Sequence, residues 1–184
     1  MLKLKAARTL PARASALGWR MLDPRSCWSL RVDLVAAAGP MSAADLPLAI
    51  DVCRAATRGD WSALWLGPDE QLLVGLDSAH AQLAPRLAAA LDGVAHSIVD
   101  VSHRQAAIEL SGPGATRLLA MGCPLDFDLR SAPVGFCTRT VYAKAEVVLW
   151  RQDTQRFQLQ AWRSFLPYVT GLLALGSQEL TAGI

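Results

Sequence analysis

Phosphate-cradling glycine loops, metal-ligand spacings and long apolar runs are all missing from this chain. Its four cysteines, Cys27, Cys53, Cys123 and Cys137, form no Cys-x-x-Cys pair, which excludes a zinc site of ordinary spacing. The three histidines, His80, His96 and His103, are widely spaced, and no two stand four apart, as a helical metal pair would require. Neither G-x-G-x-x-G nor G-K-[ST] occurs, so no dinucleotide or P-loop fingerprint is present. Charged residues are scarce, 18% of the chain against a usual ~25%. A formal net charge of +2 gives no footprint for nucleic acid. No stretch reaches the ~18 apolar residues of a membrane-spanning helix. No long apolar run follows the early basic residues, as a secretory signal would need. The expected location is therefore the cytoplasm, where the thiols read as small buried hydrophobes rather than disulfides.

What the chain does have is apolar content, 52% of 184 residues, enough for a sizeable core in one domain or two small lobes. The shortage of polar cover fits either a buried partner surface or simply an alanine-rich composition. Six of the 18 Lys and Arg residues fall in the first 25 positions, a basic arm that reads as a solvated terminus or a dock for an acidic partner.

Periodicity divides the rest. Met1 to Pro24 reads as loop with one helical turn at most. Ser26 to Leu34 alternates as a half-buried strand, Leu30, Val32 and Leu34 inward. Gly39-Pro40 reads as a turn, and Ser42 to Thr57 as a helix capped by Asp45 and stopped by Gly59. Asp60 to Leu66 and Gln71 to Leu76 form a hairpin around Gly67-Pro68-Asp69-Glu70. Leu83, Leu87 and Leu91 make a helical stripe, with Pro85 limiting its start. Strands follow at Ser97 to Val101 and Gln105 to Leu110, then a helix from Gly112-Pro113 to Met121, closed by Gly122. Gly135 to Tyr142, Ala145 to Arg151 and Phe157 to Trp162 are strands. Ser164 caps a helix over Phe165 to Leu175 that Gly176 ends, with Phe165, Tyr168, Val169, Leu172 and Leu173 on one face. The order predicts an α+β fold: two small lobes of antiparallel sheet backed by helices. The divisions drawn are an arm at 1–24, a first lobe at 25–95 and a second at 96–184, or a single compact domain over 25–184. No internal repeat is evident.

Asp100 with His103 and Arg104 is the constellation closest to chemistry. A strand-end carboxylate beside an imidazole suits a base-catalysis pair, with Cys123 or Cys137 as the nucleophile it would need. The plainer reading is a turn in which Asp100 or Ser102 accepts backbone N–H bonds while His103 and Arg104 face outward, and it is the one adopted here. Gly112-Pro113-Gly114 reads as a helix start rather than an anion site. Glu109 faces outward, and Lys144 with Glu146 flanks a strand start as a weak surface pair. Trp61, Trp65, Trp150 and Trp162 all fall on strands. Because Trp and Arg favour interface centres, Trp162, Arg163 and Phe165 are candidates for contact with another subunit, with Arg104 beside them. Core aromatics with a solvent-facing Arg163 is the equal alternative.

Four blocks carry a family resemblance: A-L-W-L-G-P-D-E-Q-L-L (Ala63 to Leu73), V-D-V-S-H-R-Q (Val99 to Gln105), L-S-G-P-G-A with G-C-P-L-D (Leu110 to Asp126), and P-V-G-F-C-T-R-T-x-x-A-K-A-E-V-V-L-W-R through W-R-S-F (Pro133 to Phe165). In this order the chain resembles the gamma subunit family of heterotetrameric sarcosine oxidase, which is related in fold to the folate-binding domain of aminomethyltransferases. The resemblance implies a structural partner without a catalytic, cofactor or metal site of its own. It also implies a complex with alpha, beta and delta subunits that hold NAD, tetrahydrofolate, FAD, FMN and zinc and demethylate sarcosine oxidatively to glycine. The chain stops soon after the Phe165 helix, which implies no room for the further domain that closes a folate pocket. Two other functions compete: a stand-alone folate-binding protein of the aminomethyltransferase type, with Asp100 gripping the pterin, and a small Cys/His hydrolase.

Overall fold

A computed structural model describes residues 17–182. Lys3, Lys5, Arg8 and Arg13 of the basic arm lie outside the described residues. The arm's last residues do not continue as loop: Gly18–Met21 is a strand, β1, paired with a segment about ninety positions later.

The first half runs β2 (Arg25–Val32), α1 (Leu34–Ala43), β3 (Ala55–Arg58), β4 (Trp61–Trp65), β5 (Glu70–Leu76) and α2 (His80–Ala90). The second runs β6 (His96–Asp100), β7 (Gln105–Ser111), α3 (Ala115–Ala120), β8 (Cys137–Tyr142), β9 (Ala145–Asp153), β10 (Arg156–Trp162) and α4 (Leu166–Ala182). Two antiparallel five-stranded sheets result, in the orders β3-β4-β5-β2-β6 and β8-β9-β10-β7-β1. The connectivity of the two is the same, and each half gives its leading strand to the other's sheet. β1 pairs with β7, Met21 opposite Ile108, while β6 pairs with β2, Asp100 opposite Trp28. A cut at residue 95 would therefore leave β1 and β6 each on the far side of it from the sheet that strand completes. Ser97 to Val101 and Gln105 to Leu110, consecutive strands in the sequence, enter different sheets.

Strand alternation sorts the core into three layers. Leu30, Val32, Ala63 and Leu73 pack under Ala37 and Met41 of α1 and Leu83 and Leu87 of α2. On the second sheet Ile108, Leu110, Leu149, Phe157 and Leu159 pack under Leu118 of α3 and Val169 and Leu173 of α4. Cys27, Leu64, Leu72 and Val74 from one sheet meet Cys137 and Val148 from the other, which makes these the facing surfaces. Each fully buried leucine contributes about 1.5–3 kcal/mol relative to exposure. Cross-strand from Trp61 stands Gly75; a Cβ there would lie 2.5 Å from the indole, so the ring lies on bare backbone.

Several local expectations are corrected. The helix expected over Ser42 to Thr57 lies earlier, at Leu34–Ala43, with Gly39-Pro40 inside it. Asp33 is its N-cap, its carboxylate accepting from the Val35 and Ala36 N–H groups at 2.8 and 3.0 Å. Asp45 ends that helix rather than starting one. It takes φ +54°, and Leu46 N–H reaches back to the Met41 carbonyl at 2.9 Å while Asp45 N–H reaches Ser42 at 3.2 Å, the two bonds of a Schellman stop. Residues 55–57, read as the end of the expected Ser42 to Thr57 helix, fall in β3, because Gly59 at φ +56° turns the strand onto β4. Ser164 lies inside a 3-10 turn, Arg163–Phe165, that precedes α4 and whose N-cap residue is Trp162. Gly176 does not end α4 but lets it approach α3: a Cβ there would meet Leu118 and Met121 at 2.7 and 2.8 Å. Val169 and Leu173 of α4 are buried while Phe165 of the preceding 3-10 turn and Tyr168 are exposed, so the predicted common face splits. The Gly67–Glu70 hairpin, the strands of the last third and the Leu83–Leu87–Leu91 stripe form as read.

Candidate functional site

Asp100 does meet a histidine, but it is His80 and not His103. Ser26 stands on β2, Asp100 ends β6 alongside it, and His80 opens α2 directly over both. His80 Nδ1 lies 2.8 Å from Ser26 Oγ, and its Nε2 lies 3.4 Å from Asp100 Oδ2. The pattern is satisfied by the tautomer with hydrogen on Nε2, facing the carboxylate, and Nδ1 accepting from the serine. Trp28 Nε1–H donates to the same Ser26 oxygen at 3.0 Å, and its indole packs on the imidazole at 5.0 Å. Ser102 completes the network: its hydroxyl donates to Asp100 Oδ1 at 2.6 Å and accepts from Cys27 N–H at 2.9 Å. Burial pushes the Asp100 carboxyl upward, but the Ser102 hydroxyl and N–H, with His80 and His103, outweigh it and hold the group below the usual carboxylate range.

These residue types are those of a Ser-His-Asp hydrolase, yet the placement is different. Ser26 is 0% exposed, and its hydroxyl is shared between an indole N–H and an imidazole. No acyl carbon can reach it at attack distance. The set acts as a bracket that ties β2, α2 and β6 together. Nothing in spacing pointed to it, since 54 positions separate Ser26 from His80.

The predicted nucleophiles do not join Asp100. Cys123 lies in the core of the second sheet, and Cys137 directs its thiol to the Trp65 carbonyl at 3.6 Å. Burial pushes both thiols up to about 12, as it does Cys27 beside the bracket. None is a thiolate near neutrality. Among the described residues no group of three His, Cys, Asp or Glu side chains is placed to hold a metal ion. No described helix is long and apolar enough to cross a membrane.

Arg104 instead turns toward β10. Its guanidinium lies 5.2 Å above the Trp162 ring, a cation–π stack, and its carbonyl accepts from Arg163 N–H at 3.0 Å. Trp162 remains 39% and Phe165 44% exposed. The four interface candidates Arg104, Trp162, Arg163 and Phe165 thus lie together where β10 runs into α4, with Tyr168 exposed beyond them.

Two arginine sites fix the scaffold beneath. Glu70 at the start of β5 receives Arg31 of its own sheet at 3.0 Å and Arg139 of the other sheet at 2.6 Å. Hydrogen bonding from Arg139 lowers its carboxyl pKa, against the upward push of partial burial. Arg151 is buried and donates to the carbonyls of Phe127, Ala132 and Thr154, which holds the Cys123–Phe136 loop on the sheet. Burial lowers its pKa. Sequence reading singled out neither arginine site, because both join residues far apart in the chain.

Residues 31–179 match the sarcosine oxidase, gamma subunit family. Curated relatives similar to the chain include sarcosine oxidase subunit gamma of Corynebacterium sp. (strain P-1), 34% identical over 137 residues, 74% of this chain and 66% of that protein. Sarcosine oxidase subunit gamma of Arthrobacter sp. is 38% identical over 94 residues, 51% of this chain and 45% of that one. The chain therefore spans less than two thirds of the length of these relatives. Among solved structures, a chain of heterotetrameric sarcosine oxidase from Corynebacterium sp. U-96, in complex with pyrrole 2-carboxylate, superposes with TM-score 0.81 at 27% identity, over 91% of this chain and 87% of that one. The glycine cleavage system aminomethyltransferase T from Bartonella henselae shares the fold, with TM-score 0.61 at 13% identity over 86% of this chain and 45% of that one.

Proposed function

We propose, from the premise that the chain belongs to the sarcosine oxidase, gamma subunit family, that it is a structural, non-catalytic gamma subunit of a heterotetrameric sarcosine oxidase. Its partners are the alpha, beta and delta subunits, which hold FAD, FMN, NAD, tetrahydrofolate and zinc. The assembly works in the cytoplasm and converts sarcosine oxidatively to glycine. The observation that carries this reading is the likeness, over nearly the whole chain, to a chain of a heterotetrameric sarcosine oxidase. Two features of the site support it. The one Ser-His-Asp set among the described residues is locked under an indole, and three thiols are held protonated.

The docking surface is the cluster of Trp162, Phe165, Arg104 and Arg163. Trp and Arg are both enriched at interface hot spots, here an exposed indole carries a stacked guanidinium, and the apolar ring of Phe165 widens the patch.

Co-expression with alpha, beta and delta chains tests the proposal. Co-elution of all four chains is expected, and the double substitution Trp162→Ala, Phe165→Ala is expected to release this chain from the complex while its own circular dichroism stays that of the folded chain. Failure of the chain to enter any complex, amine turnover by it alone, or a pterin retained through its purification would overturn the reading.

A further inference from the structure

The segment Leu22–Pro24, which carries the chain from one sheet to the other, closes one side of a cavity of about 190 Å³ whose opposite wall is β7 and β10. Asp23 and Arg163 stand exposed at its mouth. Its deep side carries Gln160, 1% exposed, and Gln105, 7% exposed, with Arg25 beside them. Four buried polar atoms of these three residues have no hydrogen-bond partner among the described residues: Gln160 Nε2 and Oε1, Gln105 Oε1 and Arg25 Nε. Buried polar groups in folded proteins are almost always paired, so four orphans in the wall of one cavity, each nearly sealed from it, are an imbalance that a polar occupant removes once these side chains turn toward it.

The orphans fix the chemistry of that occupant. Two are donors and two are acceptors, and the mouth adds one guanidinium and one carboxylate. A simple anion leaves the acceptors and Asp23 unmatched, and a simple cation leaves Arg25 and Arg163 unmatched. The volume is below the ~300 Å³ at which drug-sized ligand sites begin, which excludes a pterin or a nucleotide.

We propose that this cavity binds a small zwitterionic amino acid. Its carboxylate lies against Arg25 and Arg163, as guanidinium geometry favours, and its ammonium faces Asp23 and the carbonyl oxygens of Gln105 and Gln160. The cavity borders the Trp162 docking patch, with Arg163 common to both, and binding by the chain alone does not depend on the assembly proposed above.

Calorimetric titration of the full-length chain with glycine, acetate and methylammonium tests it. Saturable binding of glycine is expected, with each half-ligand at least about tenfold weaker, and with about a tenfold loss in both Gln160→Leu and Arg25→Met. A chain that takes up no glycine at millimolar concentration holds ordered water only, and the proposal fails. Acetate binding as tightly as glycine, or glycine binding untouched by both substitutions, also overturns it. The wild-type titrations decide the matter even where a variant does not fold.

Discussion

The two sheets share one connectivity, yet their equivalent junctions are built differently. Val101 N–H bonds to the Cys27 carbonyl in the first sheet and Leu22 N–H bonds to the Ala107 carbonyl in the second, each at 2.9 Å. This matches Ser26 to Ala106, Asp100 to Met21 and Arg25 to Gln105. Each helix that follows begins after a three-residue 3-10 turn, which matches His80 to Leu166. Where the first lobe has a serine, a histidine and an aspartate clamped together, the second has alanine, leucine and methionine beside an open cavity. The same backbone junction is sealed by hydrogen bonds in one copy and left with unpartnered glutamines in the other. The difference teaches that the bracket is not demanded by the fold, and that the cavity lies where the fold tolerates variation.

The largest test removes the exchange itself. Residues 17–95 and 96–182, expressed apart, each lack an edge strand and the facing sheet. Neither is expected to show native circular dichroism alone, whereas mixing the two restores it; independent folding of either half would show that the lobes are separate domains. Next, Leu87→Ala empties a fully buried site in the first lobe and should cost about 2–5 kcal/mol. Because both sheets share the Cys27–Val148 layer, its thermal melt should remain one transition seen alike by near- and far-ultraviolet circular dichroism. Two resolved steps would separate the lobes.

The bracket is a smaller effect. His80→Leu leaves Asp100 short of a partner and should cost about 1–3 kcal/mol in denaturant melts. The triple substitution Ser26→Ala, His80→Leu, Asp100→Met copies the second lobe and should recover most of that loss, since replacing all partners at once leaves nothing orphaned. A triple variant weaker than His80→Leu would mean that the two junctions are not interchangeable. Acid titration reads the smallest effect. Asp100 and Glu70 are both held below their ordinary pKa, so they bind fewer protons folded than unfolded. Their stabilisation is present above the unfolded values of ~3.9 and ~4.3 and is lost as pH falls through the lower folded values. Asp100→Asn and Glu70→Gln should each flatten the acid limb of the stability curve, and an unchanged limb would remove these carboxylates from the account.

Much of this was legible in the residues. Alternation gave β4 and β5, and Gly67-Pro68-Asp69-Glu70 gave their turn; Leu83, Leu87 and Leu91 gave α2. The four blocks between Ala63 and Phe165 carried the family resemblance without any structure. Local signals misled where tertiary partners overrode them. Gly39-Pro40 reads as a breaker, but the Asp33 cap before it and the buried pair Met41–Leu46 after it hold the helix through. Strand exchange left no trace, because pairing of β1 with β7 is a fact of register rather than of composition. For the same reason Asp100 pointed to the adjacent His103: proximity in the chain was visible, and the turn of α2 that brings His80 overhead was not.

Gly18 is opposite Ser111 in the finished sheet, and this has a consequence for the nascent chain. At the ~5–20 residues per second of synthesis, β1 emerges from the ribosome and waits several seconds with both edges bare before its mate exists. Of the described strands β1 is made first and its mate only after five others, so its edges stay bare throughout the synthesis of the first lobe.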